Sequence, residues 1–314
     1  MSLLDRRLLV VTGKGGVGKT MVSAALARCA RAGGRRVLVC EVDAKGSLAT
    51  AFEAPPVGFE PVEIEPGLHL MTMDTEASLR EYLRLHLHLP MVGRIGPLAA
   101  MFDFVARAAP GVREILIVGK LAYEVRERHF DLVVVDAPSS GHVGALLAAP
   151  HTIGELVKVG QIRTQTEWMA DILADPALTA AVVVTTPEEM PVVETLELLG
   201  ELQRRTPVQV AAVVVNKVLP ELFNRAEQEV FDQLCAPGPA RQALVDQAGA
   251  AVAEVLTLAE QATRWRRSRV AHLDRLRAAL PAEITPLYLP FLFGRSHGAR
   301  AVNLLAEALA DELD

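Results

Sequence analysis

The stretch Leu8-Leu9-Val10-Val11-Thr12-Gly13-Lys14-Gly15-Gly16-Val17-Gly18-Lys19-Thr20 decides the reading of this chain. Its first five residues are a short, largely apolar run, β-branched from Val10 to Thr12, which predicts a buried strand. The apolar stripe Val22, Ala25, Leu26 and Cys29 that follows predicts a helix beginning near Lys19. Between them, glycines at 13, 15, 16 and 18 let the backbone turn with its N–H groups inward and leave room for a polyphosphate. Strand, glycine-rich loop and helix in this order form a phosphate-binding loop over Gly13, Lys14, Gly15, Gly16, Val17, Gly18, Lys19 and Thr20. Lys19 would supply a point charge to the β- and γ-phosphates, and Thr20 a hydroxyl to Mg2+. A turn with incidental lysines would need every one of these positions to coincide just after a strand. Lys14 is a second lysine at a position where most such loops are indifferent, and it hints at a protein that works as a pair.

Working outward, Arg36 to Val42 is a second buried strand, so two strands flank the first helix in a βαβ unit. Further strands are expected at Leu68–Met73, Phe130–Val135, Ala180–Thr185, Val208–Val215 and Ile284–Leu289. The runs Val133-Val134-Val135, Val182-Val183-Val184 and Val213-Val214-Val215 imply strands covered on both faces, the mark of a parallel sheet. The fold class is therefore α/β: a doubly wound, mostly parallel sheet of the P-loop NTPase type, one domain over 1–314. Two regions, 75–128 and 221–280, contain helical patterns without convincing strands and are expected to form a helical subdomain at one edge of the sheet. In the second, Leu244, Ala248, Ala251, Val255, Ala259 and Ala262 repeat at helical period. A last helix over Ala299–Leu313 carries an apolar face and an acidic one, which suits docking on the core.

Composition narrows the class. The 314 residues are 51% hydrophobic and 22% charged, as in a folded protein with a large core. A net charge of −6 argues against nucleic acid as the main partner, because binding a phosphate backbone needs a concentrated basic footprint. The six arginines from Arg264 to Arg277 are the local exception; at helical spacing they read as a solvated face, an acidic partner surface being the alternative. Cys29, Cys40 and Cys235 lie far apart with no CxxC, which suggests core filler in a reducing compartment. The N-terminal residues lack a secretory pattern. The longest uncharged stretch, Ala137 to Gly154, is broken by prolines, glycines and histidines, so no integral membrane segment is expected and the cytoplasm is the default location.

Two further motifs bear on a nucleotide. Aliphatic residues 132–135 lead into Asp136, the pattern of a strand-end carboxylate that holds Mg2+ opposite the phosphate loop. Ala137-Pro138-Ser139-Ser140-Gly141-His142 is a small-residue loop suited to changing shape with the γ-phosphate; a solvated surface histidine is the plainer reading of His142. Asp43 closes the second strand near the same phosphates and could position a Mg2+-bound water, or could serve only as a turn or cap residue. Asn216-Lys217 ends another buried strand, where a side-chain amide can read an adenine edge.

Together, GKGGVGKT at 13–20, DAPSSGH at 136–142 and VVNK at 214–217 resemble the arsenical-pump and tail-anchored-protein-targeting ATPases, within the deviant Walker A P-loop proteins. Supporting matches are Pro110-Gly111-Val112-Arg113-Glu114, Asp175-Pro176 with Thr179, Glu194-Thr195 and Leu289-Pro290-Phe291-Leu292. The resemblance implies ATP and Mg2+ as cofactors, catalytic roles for Lys14, Asp43 and Lys19, and metal ligation by Thr20, Asp43 and Asp136. It also implies nucleotide contacts from the loop together with Met21, Asn216, Lys217, Pro290 and Phe291. It further implies a dimer, with itself or with a paralogue, in which Lys14 reaches the partner's phosphates. A hydrophobic protein client would bind an apolar surface around 80–125: Leu83, Leu85, Leu87, Leu89, Met91, Leu98, Met101, Phe102, Phe104, Val105, Ile115, Leu116 and Ile117. The same residues would equally make the core of a helical subdomain.

Several departures carry information. Thr50 occupies the position where the family has a water-orienting aspartate, and Ala44 replaces the proline after Asp43. Slow hydrolysis, or Asp43 in that role, follows. The CxxC of eukaryotic targeting ATPases is absent, as is the thiol cluster that arsenite binding needs. Beside a slow ATPase that couples nucleotide state to a protein client stand two other readings: a hydrolysis-impaired ATP-binding subunit paired with an active paralogue, and a partition or cell-division ATPase. The acidic balance and the lack of a basic amphipathic tail disfavour the last. An iron-sulfur or electron-transfer role would need cysteines near a dimer axis.

Overall fold

A computed structural model of the chain describes residues 2–87, 111–157, 159–249, 251–293 and 298–313. The runs with the most β-branched residues form the middle of the sheet. They are β1 (Leu8–Gly13), β2 (Val37–Glu41), β5 (Leu132–Asp136) and β6 (Thr179–Thr185), each buried along its whole length. Such strands can only be interior, because both faces of each must be covered. With β3 (Val62–Glu65), β4 (Leu68–Thr72), β7 (Val210–Val218) and β8 (Thr285–Pro290) they form one eight-stranded sheet in the order β3-β4-β2-β5-β1-β6-β7-β8. Every pairing is parallel except β3 with β4.

Alternate residues of each strand enter two separate cores. Leu9, Val11, Val39 and Val134 face helix α1 (Lys19–Ala32) and the last helix, α11 (Gly298–Leu313), whose Val302, Leu305 and Leu309 are buried with them. Leu8, Val10, Leu38, Cys40, Val133 and Val135 face the other way. There they meet α4 (Val112–Arg126), α5 (Ser140–Leu156), α6 (Gln161–Ala174) and α7 (Glu189–Arg205). This is the doubly wound arrangement expected from the valine runs. It puts the C-terminal ends of β1, β2, β5 and β7 along one edge, where such sheets bind ligands.

Among the described residues the remaining α-helices are α2 (Ser47–Phe52), α3 (Thr75–Leu87), α8 (Arg225–Cys235), α9 (Pro239–Ala248) and α10 (Ala251–Ala279). Within 75–128, α4 lies directly on the sheet: Ile117, Val118, Leu121, Ala122 and Val125 are buried in the same core as β2 and β5. Ile117 is thus an interior residue and not part of an exposed client surface, since its side of the helix covers the sheet, whereas Leu116, also buried, lines an apolar cavity with Ile115 between the helices. Leu89, Met91, Leu98, Met101, Phe102, Phe104 and Val105 of that expected surface lie outside the described residues, as do the side chains of Leu83, Leu85 and Leu87.

Two local expectations change. The stripe from Leu244 to Ala262 is not one helix face: α9 stops at Ala248, Gly249 takes φ +88°, and Val255 is exposed while Leu256 is buried. A left-handed residue breaks helical phase, so apolar spacing across it carries no single face. The edge strand β3 was not anticipated. Its sequence Val-Glu-Ile-Glu has two outward carboxylates and exposed or half-buried positions throughout, so hydropathy alone gives no strand signal. Among the described residues no helix is long and apolar enough to cross a membrane.

Candidate nucleotide and cation site

The loop between β1 and α1 is held from beneath by two side chains of the β7 end. The Asn216 amide donates to the Val17 carbonyl at 2.9 Å, and its own oxygen accepts from the Lys217 backbone N–H at 2.9 Å. The Lys217 ammonium donates to the Gly16 carbonyl at 3.1 Å, from a backbone turned into the left-handed region at φ +58°. Gly18 sits at φ +95° directly over Asn216, and a Cβ there would collide with the amide nitrogen. The residue must be glycine both for its backbone angle and for this approach. With Val17 and Gly16 tied down through their carbonyls, the loop's N–H groups are left free to face a phosphate.

Lys19 opens α1 and donates to the Lys14 carbonyl at 3.1 Å, so its ammonium lies within the loop it is expected to serve. Burial lowers its pKa, opposed by the negative charges of Asp136 and Asp43. The neighbouring Thr20 hydroxyl donates to Asp136 Oδ2 at 2.6 Å. Asp136 stands at the end of β5, in register with Val11 of β1 on one side and Glu41 of β2 on the other. Burial pushes its carboxyl up to about 6; the Thr20 hydrogen bond and Lys19 pull it down, and Glu41 and Asp43 push it further up. A buried carboxylate of this kind is underneutralised and suits a cation. Among the described residues no group of three or more His, Cys, Asp or Glu could hold an ion alone. The oxygen pair of Thr20 and Asp136 fits Mg2+, which takes one or two protein oxygens and completes its shell with water and phosphate.

Asp43 lies just beyond β2 in an exposed turn, 3.3 Å from the Lys45 ammonium. Its charge and that of Lys45 both reach Lys19. Lys14 points away from the loop and forms an ion pair with Glu194 of α7. Met21 is half-buried on α1 and packs against the core beneath the loop. Pro290 ends β8 beside β7, and the N–H of Phe291 just after it donates to the Val218 carbonyl at 2.8 Å. His142 is exposed in the first turn of α5. Thr50 is exposed on α2, its hydroxyl spent on the Gly46 carbonyl at 2.9 Å.

The structure thus gathers Gly13–Thr20, Asp136, Asn216 and Lys217 around one loop, with Asp43 within electrostatic reach. Asn216 is used to hold the loop, a role that the dipeptide alone did not suggest. Glu41, Lys45 and Glu194 were not assigned to the site from sequence. For Glu41 a signal existed: a carboxylate at a strand end, two residues before Asp43, where the apolar run Val37–Cys40 stops.

A family model described as anion-transporting ATPase matches residues 6–170 and 156–234. The chain belongs to this ATPase family. The match includes the phosphate loop, Asp43, Asp136 and Asn216, all the parts that the geometry brings together. The ATPase is 35% identical over 242 residues to the ATPase BagA of Mycobacterium tuberculosis, covering 71% of this chain and 70% of that one. It is 28% identical over 260 residues to a protein of Aquifex aeolicus that carries an arsenical pump-driving ATPase name, covering 71% and 85%. To the ATPase get3 of Neurospora crassa it is 30% identical over 170 residues, covering 52% and 50%. The arsenical-pump and targeting ATPase resemblance read from the motifs is the family to which the chain belongs.

Proposed function

We propose that this ATPase is a Mg2+-dependent cytoplasmic switch that closes as a dimer on ATP, and that its nucleotide state is coupled to a protein client. The observation that carries the reading is the second loop lysine. Lys19 already occupies the loop from within its own chain, while Lys14 is held outside the loop by Glu194 in an accessible ion pair. A second cation held that loosely is suited to another subunit's triphosphate.

In this reading the loop N–H groups and Lys19 bind the phosphates, and Thr20 and Asp136 hold the cation, with Asp43 orienting its water. Thr20 and Asp136 would hold Mg2+, which would supply positive charge to offset the charge that builds up during transfer. Asn216 and Lys217 keep the loop in shape. Opening and closing of the dimer would then move the helical layer α4–α6, which lies over the face of the sheet opposite α1.

Thr50 supports a second reading, a subunit that binds ATP but turns it over slowly beside an active paralogue. Its hydroxyl is engaged with Gly46 and offers no carboxylate to orient water.

Turnover, nucleotide affinity and light-scattering mass, each measured with Mg2+ and a non-hydrolysable ATP analogue, test both readings. Lys19→Ala is expected to lose binding and turnover together. Lys14→Ala is expected to keep binding within about twofold while losing at least about tenfold in turnover and the nucleotide-dependent dimer. A protein that stays monomeric with the analogue and turns over normally without Lys14 overturns the dimer.

A further inference from the structure

Glu41 is a buried carboxylate, 3% exposed, at the end of β2. A carboxylate in such a place needs partners, and among the described residues its hydrogen-bond donors come from one short segment. Its Oε1 accepts from the Lys45 and Ser47 backbone N–H groups at 3.1 and 3.0 Å, and its Oε2 accepts from Leu48 at 3.4 Å. These donors are the loop after β2 and the first turn of α2. The residue before α2 is Gly46, at φ +72°, with no side chain to cap the helix. Glu41 caps it instead, from the sheet.

The loop so held is strained. Ala44, where the resemblance leads one to expect proline, has φ +51°, a left-handed conformation that costs an L-residue with a Cβ about 1 kcal/mol. Such a turn persists only where its surroundings impose it, and the Glu41 hydrogen bonds flank it on the downstream side. Upstream, the Val42 N–H donates to the Asp136 carbonyl at 3.2 Å and the Met73 N–H to the Glu41 carbonyl at 2.8 Å. Asp43 and Lys45 project from this clamped turn. Glu41 is also the register partner of Asp136 on the adjacent parallel strand, so both carboxylates issue from the same face of the sheet. One reaches Thr20 at the start of α1, the other the start of α2.

We propose that Glu41 is a positioning residue for ATP hydrolysis: it staples the 43–48 segment to the strand that neighbours Asp136, and so sets Asp43 and Lys45 against the phosphate loop. The assignment rests on the proposed reading of Asp43 as a working residue of the site. It requires hydrogen bonds at the length of a glutamate, not merely a negative charge.

Two variants separate these requirements. Glu41→Gln keeps the length but replaces one acceptor oxygen by a donor facing N–H groups. Glu41→Asp keeps the charge but withdraws it by one methylene. Hydrogen exchange at the Lys45, Ser47 and Leu48 amides, the affinity for a fluorescent ATP analogue and steady-state turnover are measured for both. Both variants are expected to exchange at least about tenfold faster at those three amides, with unchanged protection in α1. Both are expected to keep nucleotide affinity within about twofold and to lose about tenfold or more in kcat. Wild-type kcat in Glu41→Asp beside an impaired Glu41→Gln would mean that charge alone matters, and overturns the proposal. Equal loss of affinity and turnover, or unchanged exchange at the three amides, overturns it as well. Asp43→Asn is the control for the underlying reading. If it turns over normally, the role of Asp43 fails; if it is inactive while the Glu41 variants are normal, only the staple fails.

Discussion

The ammonium of Lys14, in the phosphate loop, is paired with the carboxylate of Glu194, in the second turn of α7, 180 residues away in the same chain. Each side chain keeps about a third of its surface in water, 35% and 28%. An ion pair this accessible contributes at most about 1 kcal/mol. It is strong enough to park Lys14 and weak enough to be exchanged for a triphosphate.

Glu194→Ala should therefore leave the melting temperature within a few degrees of wild type. If Lys14 acts on a second subunit, the same change should raise turnover at low protein concentration, where dimer formation limits the rate. ATPase rate against protein concentration reads this directly. A reduced rate at every concentration would instead give Glu194 a role of its own in the active state.

The raised pKa of Asp136 makes a prediction of definite sign. Its folded value of about 6 lies above the ordinary 3.8. The protonated form is thus favoured by folding, and that contribution, complete below pH 4, is lost as pH rises through 6. At neutral pH the ionised carboxylate costs the nucleotide-free protein about 3 kcal/mol. Asp136→Asn should raise the melting temperature at pH 8 in the absence of Mg2+ and nucleotide, with the gain vanishing as pH approaches 4. The same variant should lose Mg2+-dependent turnover. A melting temperature that falls at pH 8 would show that the carboxylate is already well neutralised in the free protein.

Removing the Asn216 amide leaves the Val17 carbonyl without its buried donor. Asn216→Ala is expected to cost about 1–3 kcal/mol of stability and to weaken nucleotide binding through a looser loop. Denaturant unfolding with and without ATP measures both. An Asn216→Ala protein with normal stability but altered preference between ATP and GTP would assign the amide to the base instead.

Away from the loop, Lys120 of α4 is 4% exposed and lies 2.8 Å from both Glu81 of α3 and Glu124 of its own helix. Lys120→Met should destabilise by about 3–5 kcal/mol, because it strands buried carboxylates. Adding Glu124→Leu should recover part of that loss in chemical denaturation, despite the His129 contact that Glu124 also makes. No recovery would mean that the charge of Glu124 is satisfied by groups other than Lys120.

What could be read from the chain was whatever repeats locally. The valine runs that became β5, β6 and β7, the glycine spacing of 13–18 and the apolar stripe of α1 each encode a short-range periodicity, and each was legible. β3 was not, because two charged residues at an edge look like a loop. Nor was the break at Gly249, where the residue spacing continues but the backbone does not. The loop, Asp136 and the sheet could therefore be assigned by residue type and position.

Sequence by itself determined that a strand, a phosphate loop and a helix follow one another, and that a carboxylate closes a neighbouring strand. Tertiary structure alone decided which distant groups meet the loop: Asn216 under Val17, Glu194 against Lys14, Glu41 beneath the Asp43 turn. The first kind of information is carried by steric and hydrophobic preferences within a few residues of chain. The second exists only once the sheet has ordered its strands, since it is the parallel register that brings β2, β5, β1 and β7 to a common edge.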